Sequence, residues 1–401
     1  MSSIANNNIK AVLALLVFLT IPILGNTQII PSKSNLSYLL DPHANINLTH
    51  KVITKNDKKW IVLEIKSRYK TNLDSLNVAF AFTNNLDEPI SSFSLVKLES
   101  FELTKTTDSR SYAFEASKKD TGFLVLRIAS KELDEIYSYI INLDAFSSFI
   151  ISESKITIPI IKPYTSVLSN LKLAKLTGEL STFNAKFYTT KFSPSLPPMA
   201  SLQSKNSLGE ADTTYTITLA TGTEGLYAIG TSTNKKPLSY FRIVSKKYPH
   251  LASIDEIIEA SIFLFTKKEK KKIVNSSNPK QEYDAFWLEN TGSSDRARKM
   301  ISAYFQRVKE SNQLFTSFKQ GWKTDMGMIY IIFGPPSKVF RSDKGIEWVY
   351  KKTYELPNLN FEFDLKEGDF DTEIFELQRN LAYQNSWFRA IDLWRKGRKN
   401  L

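Results

Sequence analysis

The 401-residue chain carries 53 Lys+Arg against 41 Asp+Glu, three histidines and no cysteine, for a net charge of +12. At about 100–200 residues per domain it has room for two or three cores, and 42% hydrophobic with 12% aromatic residues excludes a disordered chain. The missing cysteines exclude disulfides, thiolate zinc and iron–sulfur sites, a cysteine nucleophile and a lipid-modified N-terminal cysteine.

His43, His50 and His250 fall in no HExxH-type spacing, and neither GxxxxGK nor GxGxxG occurs, so metal, phosphate-loop and dinucleotide chemistry have no local signature. No cofactor is implied.

A polar stretch ending in Lys10 precedes the apolar run Ala11–Gly25. The run is shorter than the roughly 20 residues that span a bilayer, and Pro22 with the small Gly25 suits a cleavage site. Residues 1–25 therefore read as a secretory signal peptide, with an uncleaved anchor as the competing reading. No later stretch is apolar for 18 residues, so no transmembrane span is expected after signal removal. The expected location is extracytoplasmic: periplasmic, outer-membrane-associated or secreted.

From Ile46 onward apolar residues alternate with polar ones. Ile61, Leu63 and Ile65 share one face while Glu64 and Lys66 share the other, the pattern of a half-buried strand. Similar segments at Val78–Phe82, Phe93–Leu103, Ser111–Ala116, Phe123–Ile128, Tyr137–Leu143 and Ile156–Ile161 predict an antiparallel β-sandwich-like domain over residues 36–162, with Pro159 at an edge or bulge. Residues 163–250 form a second β-rich region, with strands at Ala185–Thr190, Tyr215–Leu219, Leu226–Ile229 and Leu238–Val244 and a loop opening at Ser193–Met199. It is either a second small sandwich or the completion of the first.

The period changes near residue 250. Ser253–Glu256 and Thr266–Glu269 are capping boxes, Asn278-Pro279 sets an N-cap with proline at the first helical position, and Ser294 begins the longest helix, with Ala297, Met300, Ile301, Tyr304, Phe305, Val308 and Phe315 inward. Residues 251–320 read as a helical connector. The basic run Lys267–Lys272 and the tail Arg395–Lys399 invite a nucleic-acid or anionic-lipid reading, but on a capped amphipathic helix such a run is ordinarily the solvated face. No nucleic-acid partner is expected.

The densest signal is Gly321-Trp-Lys-Thr-Asp-Met-Gly-Met-Ile-Tyr-Ile-Ile-Phe-Gly-Pro-Pro336. Gly321 is expected to take a left-handed conformation that ends the preceding helix, with Trp322 packed beneath it. Thr324 and Asp325 are short oxygen-bearing turn caps, Asp325 as an Asx-type acceptor, and Gly327 a permissive position. Met328–Phe333 reads as a short buried strand halted by Gly334, Pro335 and Pro336. Strands at Ile346–Lys351, Asn360–Leu365 and Glu373–Leu377, with a turn at Gly368-Asp369, complete a β-meander.

These residues resemble the GWxTD-domain proteins of Bacteroidetes and related bacteria. The match is carried by Gly321, Trp322, Thr324, Asp325 and Gly327, by Tyr330–Pro336, by Glu347-Trp348 with Tyr350, and upstream by Glu282–Trp287 and Tyr304–Val308. It covers about residues 280–377 well; Ser337 departs from it, since an acidic residue often follows the proline pair. The resemblance implies an exported or envelope protein and carries no established reaction.

The expected fold is mixed α+β: N-terminal antiparallel β-sandwich-like modules, a helical connector, and a C-terminal α+β domain over residues 321–401. The motif reads as structural, because Gly, Trp and Pro shape backbones and fill cores whereas catalysis needs groups that exchange protons or attack. The competing reading gathers Lys323, Asp325, Arg341 and Glu347, beside Trp348, into one acid–base pocket. The leading function is accordingly a non-catalytic envelope protein whose partners are envelope proteins or an anionic envelope surface. The alternative is a secreted polysaccharide-binding protein or carboxylate-dependent hydrolase.

Overall fold

The computed structural model describes residues 28–398 except 56–57, 69–71, 97–100, 117–121, 130–135, 146–149, 154–163, 167–170, 175–178, 184–188, 191–192, 195–214, 218–223, 231–238 and 367–372. The signal-like segment, the strand expected at 156–161 with Pro159, most of the loop opening at Ser193 and the turn at Gly368-Asp369 lie outside the described residues.

The alternating segments of the front half fold into eight strands: β1 (Ile46–Lys55), β2 (Lys58–Ser67), β3 (Asn77–Thr83), β4 (Ser94–Val96), β5 (Glu102–Lys105), β6 (Ser109–Ala116), β7 (Phe123–Ala129) and β8 (Tyr137–Asn142). They form two four-stranded sheets, ordered β1-β2-β6-β5 and β4-β3-β7-β8, with every pairing antiparallel. The segment expected as one strand at Phe93–Leu103 is split, its halves entering different sheets as β4 and β5.

Ile61, Leu63 and Ile65 meet Leu124, Leu126 and Ile128 in the core between the sheets, as period-two alternation requires. Strand β7 is buried along its whole length, because its other face sends Phe123 and Val125 into the core of the C-terminal half.

Nine short strands follow: β9 (Ile150–Glu153), β10 (Tyr164–Ser166), β11 (Leu171–Ala174), β12 (Glu179–Phe183), β13 (Thr189–Thr190), β14 (Ser193–Pro194), β15 (Tyr215–Ile217), β16 (Gly225–Gly230) and β17 (Ser239–Val244). They make a four-stranded sheet β10-β17-β16-β12, a three-stranded sheet β15-β11-β9 and the pair β13-β14.

The helices are α1 (Ile254–Ala260), α2 (Lys267–Val274), α3 (Pro279–Thr291), α4 (Ser294–Phe315), α5 (Asp325–Phe333) and α6 (Tyr383–Arg395). Both expected capping boxes close with reciprocal hydrogen bonds, and the Asn278 side chain accepts from the Gln281 amide with Pro279 at the first position. Strands β18 (Lys338–Arg341), β19 (Gly345–Tyr350), β20 (Leu359–Lys366) and β21 (Ile374–Leu377) form the expected antiparallel meander. The architecture is mixed α+β.

One element differs in kind. Met328–Phe333, expected as a strand, is most of helix α5, and Met328 through Phe333 are all buried. An apolar run of this length satisfies either structure when it is buried on all sides. Two groups settle it as helix. The Thr324 hydroxyl accepts from the Gly327 amide, a helix N-cap, and Gly334 at φ +90 ends the helix, its amide donating to the Tyr330 carbonyl at 2.8 Å.

The sandwich is tied to the C-terminal half at several points. The Leu36 amide donates to the Val339 carbonyl at 2.8 Å, the Val339 amide to Asn35 Oδ1 at 3.0 Å, and the Leu86 amide to Asp343 Oδ1 at 3.0 Å. Leu86, Ile90, Phe123, Val125 and Ile140 share one apolar cluster with Trp322, Trp348 and Trp394. The two halves are therefore one packed body around a cleft.

Candidate functional site

The Gly-Trp-Lys-Thr-Asp block is a tight corner between α4 and α5. Gly321 is not left-handed; it opens a single 3-10 turn over Gly321–Lys323. The reason for a glycine is space, since a Cβ there would lie 1.8 Å from the Ser311 carbonyl oxygen. Gly327 is needed for the same reason, its Cβ falling 2.0 Å from the Gly321 carbonyl oxygen.

Asn312, fully buried on α4, holds the corner from below. Its Oδ1 accepts from the Trp322 amide at 3.2 Å and its Nδ2 donates to the Pro249 carbonyl at 3.0 Å. Trp322 is buried in the core as expected, its indole N–H donating to Gln320 Oε1 at 3.0 Å. The Thr324 hydroxyl donates to the Gly321 carbonyl at 2.7 Å and accepts from the Gly327 amide at 3.0 Å.

Asp325 is not an Asx-type turn acceptor. Its Oδ2 accepts from the Leu377 amide at 2.9 Å and from the Arg379 guanidinium at 2.7 Å. The geometry of β21 explains the first bond. The Gln378 amide donates to the Glu362 carbonyl, and the register pairs Phe363 with Leu377, so Leu377 and Phe375 turn their peptide groups away from β20. Asp325 therefore closes an edge-strand amide that would otherwise be buried without a partner. Burial pushes its carboxyl above the usual range, opposed by Arg379.

The other charged candidates are committed elsewhere. Lys323 Nζ pairs with Glu259 at 3.0 Å. Arg341 makes a two-pronged pair with Glu373, stacked against Phe123 and Phe375 at 5.6 Å from each ring, while Asn142 of β8 donates to Glu373 at 3.0 Å. Burial alone would raise the Glu373 carboxyl, but Arg341 and Asn142 outweigh it and hold it below the usual range.

Glu347 lies on the face of β19 opposite Trp348 and accepts from Asn360 Nδ2 at 2.8 Å. Trp348 is fully buried against Phe363 and Phe315. Gly334 accepts from the Tyr350 hydroxyl at 2.8 Å; Pro336 is buried and Pro335 exposed. Lys323, Asp325, Arg341 and Glu347 thus have four separate sets of partners and form no common pocket.

A different site lies beside the motif: a cleft of about 880 Å³ between the sandwich and the C-terminal half. One wall is β1 with Tyr139, Ile140 and Asn142 of β8; the other is the end of α4, the corner at 316–319, Thr324–Met326 and residues 373–376. Pockets of this volume fall in the range that takes ligands.

Two of its charged residues have no signature in the sequence. Lys319 is 7% exposed, its ammonium lies 5.3 Å from the Phe318 ring centre, and burial lowers its pKa to about 8, opposed by Asp325 and Glu376. The Glu376 carboxyl is raised by burial and by Asp325. A buried lysine at 319 carries no local signal, but polar Ser311 and Asn312 inside the inward stripe of α4 were a legible clue to the corner. Among the described residues no cluster of three or more His, Asp or Glu is placed to hold a metal ion, and no helix is long and apolar enough to cross a membrane.

The molecule is a β-sandwich docked on an α+β domain, with a helix cap and an edge-strand plug built from one Thr-Asp pair. Residues 225–396 match the family model of the GWxTD domain, and the chain contains a GWxTD domain. The match begins in β16 and ends in the turn after α6, so the family unit takes in the helical connector as well as the motif. No curated protein and no solved structure matches the chain.

Proposed function

We propose that the chain is an exported protein of the cell envelope that acts by binding, without chemistry of its own, and that the cleft between the sandwich and the GWxTD domain is its binding surface. The observation that carries this reading is the commitment of the motif. Lys323, Asp325 and Arg341 are each paired with an internal partner while the cleft beside them stays open. Groups held in ion pairs and caps maintain a shape and are poorly placed to exchange protons or attack. The leader-like residues 1–25 support export, and the net charge of +12 favours envelope partners or an anionic envelope surface.

Site-specific photo-crosslinking in intact envelopes tests it, with the crosslinker at Gln313, which lines the cleft, or at Glu347 on the outer face of the meander. The expected result is a discrete product from Gln313 alone, surviving high salt for a protein partner and lost at high salt for an anionic surface. Equal products from both positions, or none from either, would contradict it. A carboxylate-dependent hydrolase or polysaccharide binder is the second reading, favoured by Asp325 and Glu376 lining one cleft with raised carboxyls. Turnover on a polysaccharide panel, lost in Glu376→Gln, would establish it.

A further inference from the structure

The cleft exposes a long strand edge. Strand β1 is the outer strand of its sheet and pairs with β2 from Ile46 opposite Ser67 to Lys55 opposite Lys58. The Arg68 amide donates to the Asn45 carbonyl at 3.0 Å, continuing that register. Odd-numbered residues of β1 therefore direct their peptide groups to β2, and even-numbered residues direct theirs outward. The Tyr139 hydroxyl confirms the phase by donating to the Ile46 carbonyl at 3.3 Å. Beyond it, the outward peptide groups of Leu48, His50 and Val52 have no hydrogen-bond partner among the described residues, and all three residues line the cleft.

Three other described edges carry partners at the positions nearest the interface of the two halves. The Tyr38 hydroxyl bonds both peptide groups of Ser138 on β8, which keeps only a shorter open stretch at Ile140 and Asn142. Asn35 and Leu36 cover Val339 on β18. Asp325 closes Leu377 on β21. Open edges are aggregation hazards that folded proteins suppress, so the stretch Leu48–Val52, left open where β1 lines the cleft, is a candidate docking edge.

The opposite wall supplies a second, independent feature. Lys319 is a buried residue that lines the cleft, and its ammonium has no hydrogen bond or ion pair among the described residues, only the Phe318 ring beside it. Asp325 and Glu376 act on this ammonium without a direct ion pair, which leaves its donors for a carboxylate arriving with a ligand. Strand β1 runs on past the lined stretch to Lys55, so a bound segment can continue along the edge beyond the cleft.

Resting on the reading of the cleft as a binding surface, we propose that β1 takes up an extended segment of a partner polypeptide as an added strand, with an internal Asp or Glu of that segment seated on Lys319. Backbone hydrogen bonds to Leu48, His50 and Val52 supply affinity. The acidic residue, with apolar neighbours against Phe318 and Phe375, supplies register and selectivity.

The probe is a fluorescein-labelled, C-terminally amidated peptide, Val-Thr-Val-Glu-Val-Thr, read by fluorescence anisotropy. Saturable binding is expected. His50→Pro removes an outward N–H without touching the β2 ladder, as edge strands tolerate, and His50→Ala controls for the imidazole facing Glu373 and Arg341; the proline is expected to weaken binding at least tenfold relative to the alanine, and Lys319→Met at least tenfold relative to wild type. Replacing the peptide Glu by Gln is expected to cost the same factor with wild-type protein and nothing further with Lys319→Met. Methylating alternate peptide nitrogens tests the backbone bonds without altering the protein, should His50→Pro fail to fold.

Binding unchanged by His50→Pro and by N-methylation would overturn strand addition. Binding unchanged by Lys319→Met would overturn the acidic seat. A Gln peptide with a free C-terminus that binds through Lys319 where the amidated Glu peptide does not would overturn the internal acid in favour of a terminal carboxylate. No saturation up to about 1 mM, with a Gln313 crosslink still present, overturns this proposal alone; loss of the crosslink as well removes the binding reading with it.

Discussion

Replacing Arg341 by Met isolates the ion pair that fastens the meander to the sandwich. The Arg341 and Glu373 side chains are 8% and 18% exposed, so the variant leaves a largely buried carboxylate held only by Asn142 and removes a guanidinium packed against Phe123 and Phe375. Breaking a buried pair from one side typically costs about 3–5 kcal/mol. The Asn142 amide and the residual exposure of Glu373 place the expectation near the lower end, about 3 kcal/mol at pH 7, read as a shift of the urea midpoint in tryptophan fluorescence.

The pH dependence carries a sign. In the wild type Glu373 is held below its ordinary value of 4.5, so its stabilisation is complete above that value and is lost as pH falls through the lower folded value. In the variant, burial is opposed only by Asn142 and His50 and raises the carboxyl, so protonation relieves the variant as pH falls. The gap between the two proteins should therefore narrow from pH 7 to pH 4. Replacing Glu373 by Leu in the same chain should recover most of the loss. A single-variant loss below about 0.5 kcal/mol, the ordinary range for surface substitutions, or a gap independent of pH, would refute the reasoning.

The corner gives sharper and milder tests. Gly321→Ala must move α4 or the 3-10 turn to relieve an overlap at 1.8 Å, so it should yield little folded protein or a loss above about 3 kcal/mol, whereas Pro335→Ala at an exposed position should melt close to wild type. Thr324→Val removes the helix cap and is expected to cost about 1 kcal/mol in thermal or urea unfolding. Glu269 caps Thr266 and pairs with Arg395 at 2.6 Å, which lowers its pKa to about 2; its contribution is present above 4.5 and lost between there and about pH 2. Glu269→Gln should therefore be destabilising at neutral pH and near-neutral at pH 2, as read by thermal melts.

Local signals were legible where chemistry acts over a few residues. The Ser253 and Thr266 boxes, the Asn278-Pro279 start and the alternation of Ile61, Leu63 and Ile65 all depend on neighbours within one turn or one strand. Phe93–Leu103 reads as one strand because alternation says nothing about which sheet receives each half. Met328–Phe333 reads as a strand because burial on every side erases the difference between a period of 2 and a period of 3.6. The candidate site was least legible: the Asp325 partner, Arg379, lies 54 residues away and is one of 53 basic residues. The open edge of β1 depends on the phase of its pairing with β2, which a single strand does not encode. Lys319 reads as a surface lysine until the fold buries it.

Amide-resolved hydrogen exchange across β1 tests the central claim most directly. In the free protein Leu48, His50 and Val52 should exchange fast while Asn47, Thr49 and Lys51, bonded to β2, exchange slowly. Adding the amidated Glu peptide should slow the first set and leave the second unchanged. Equal protection of both sets in the free protein, or no slowing of the first set at saturating peptide, would contradict the account.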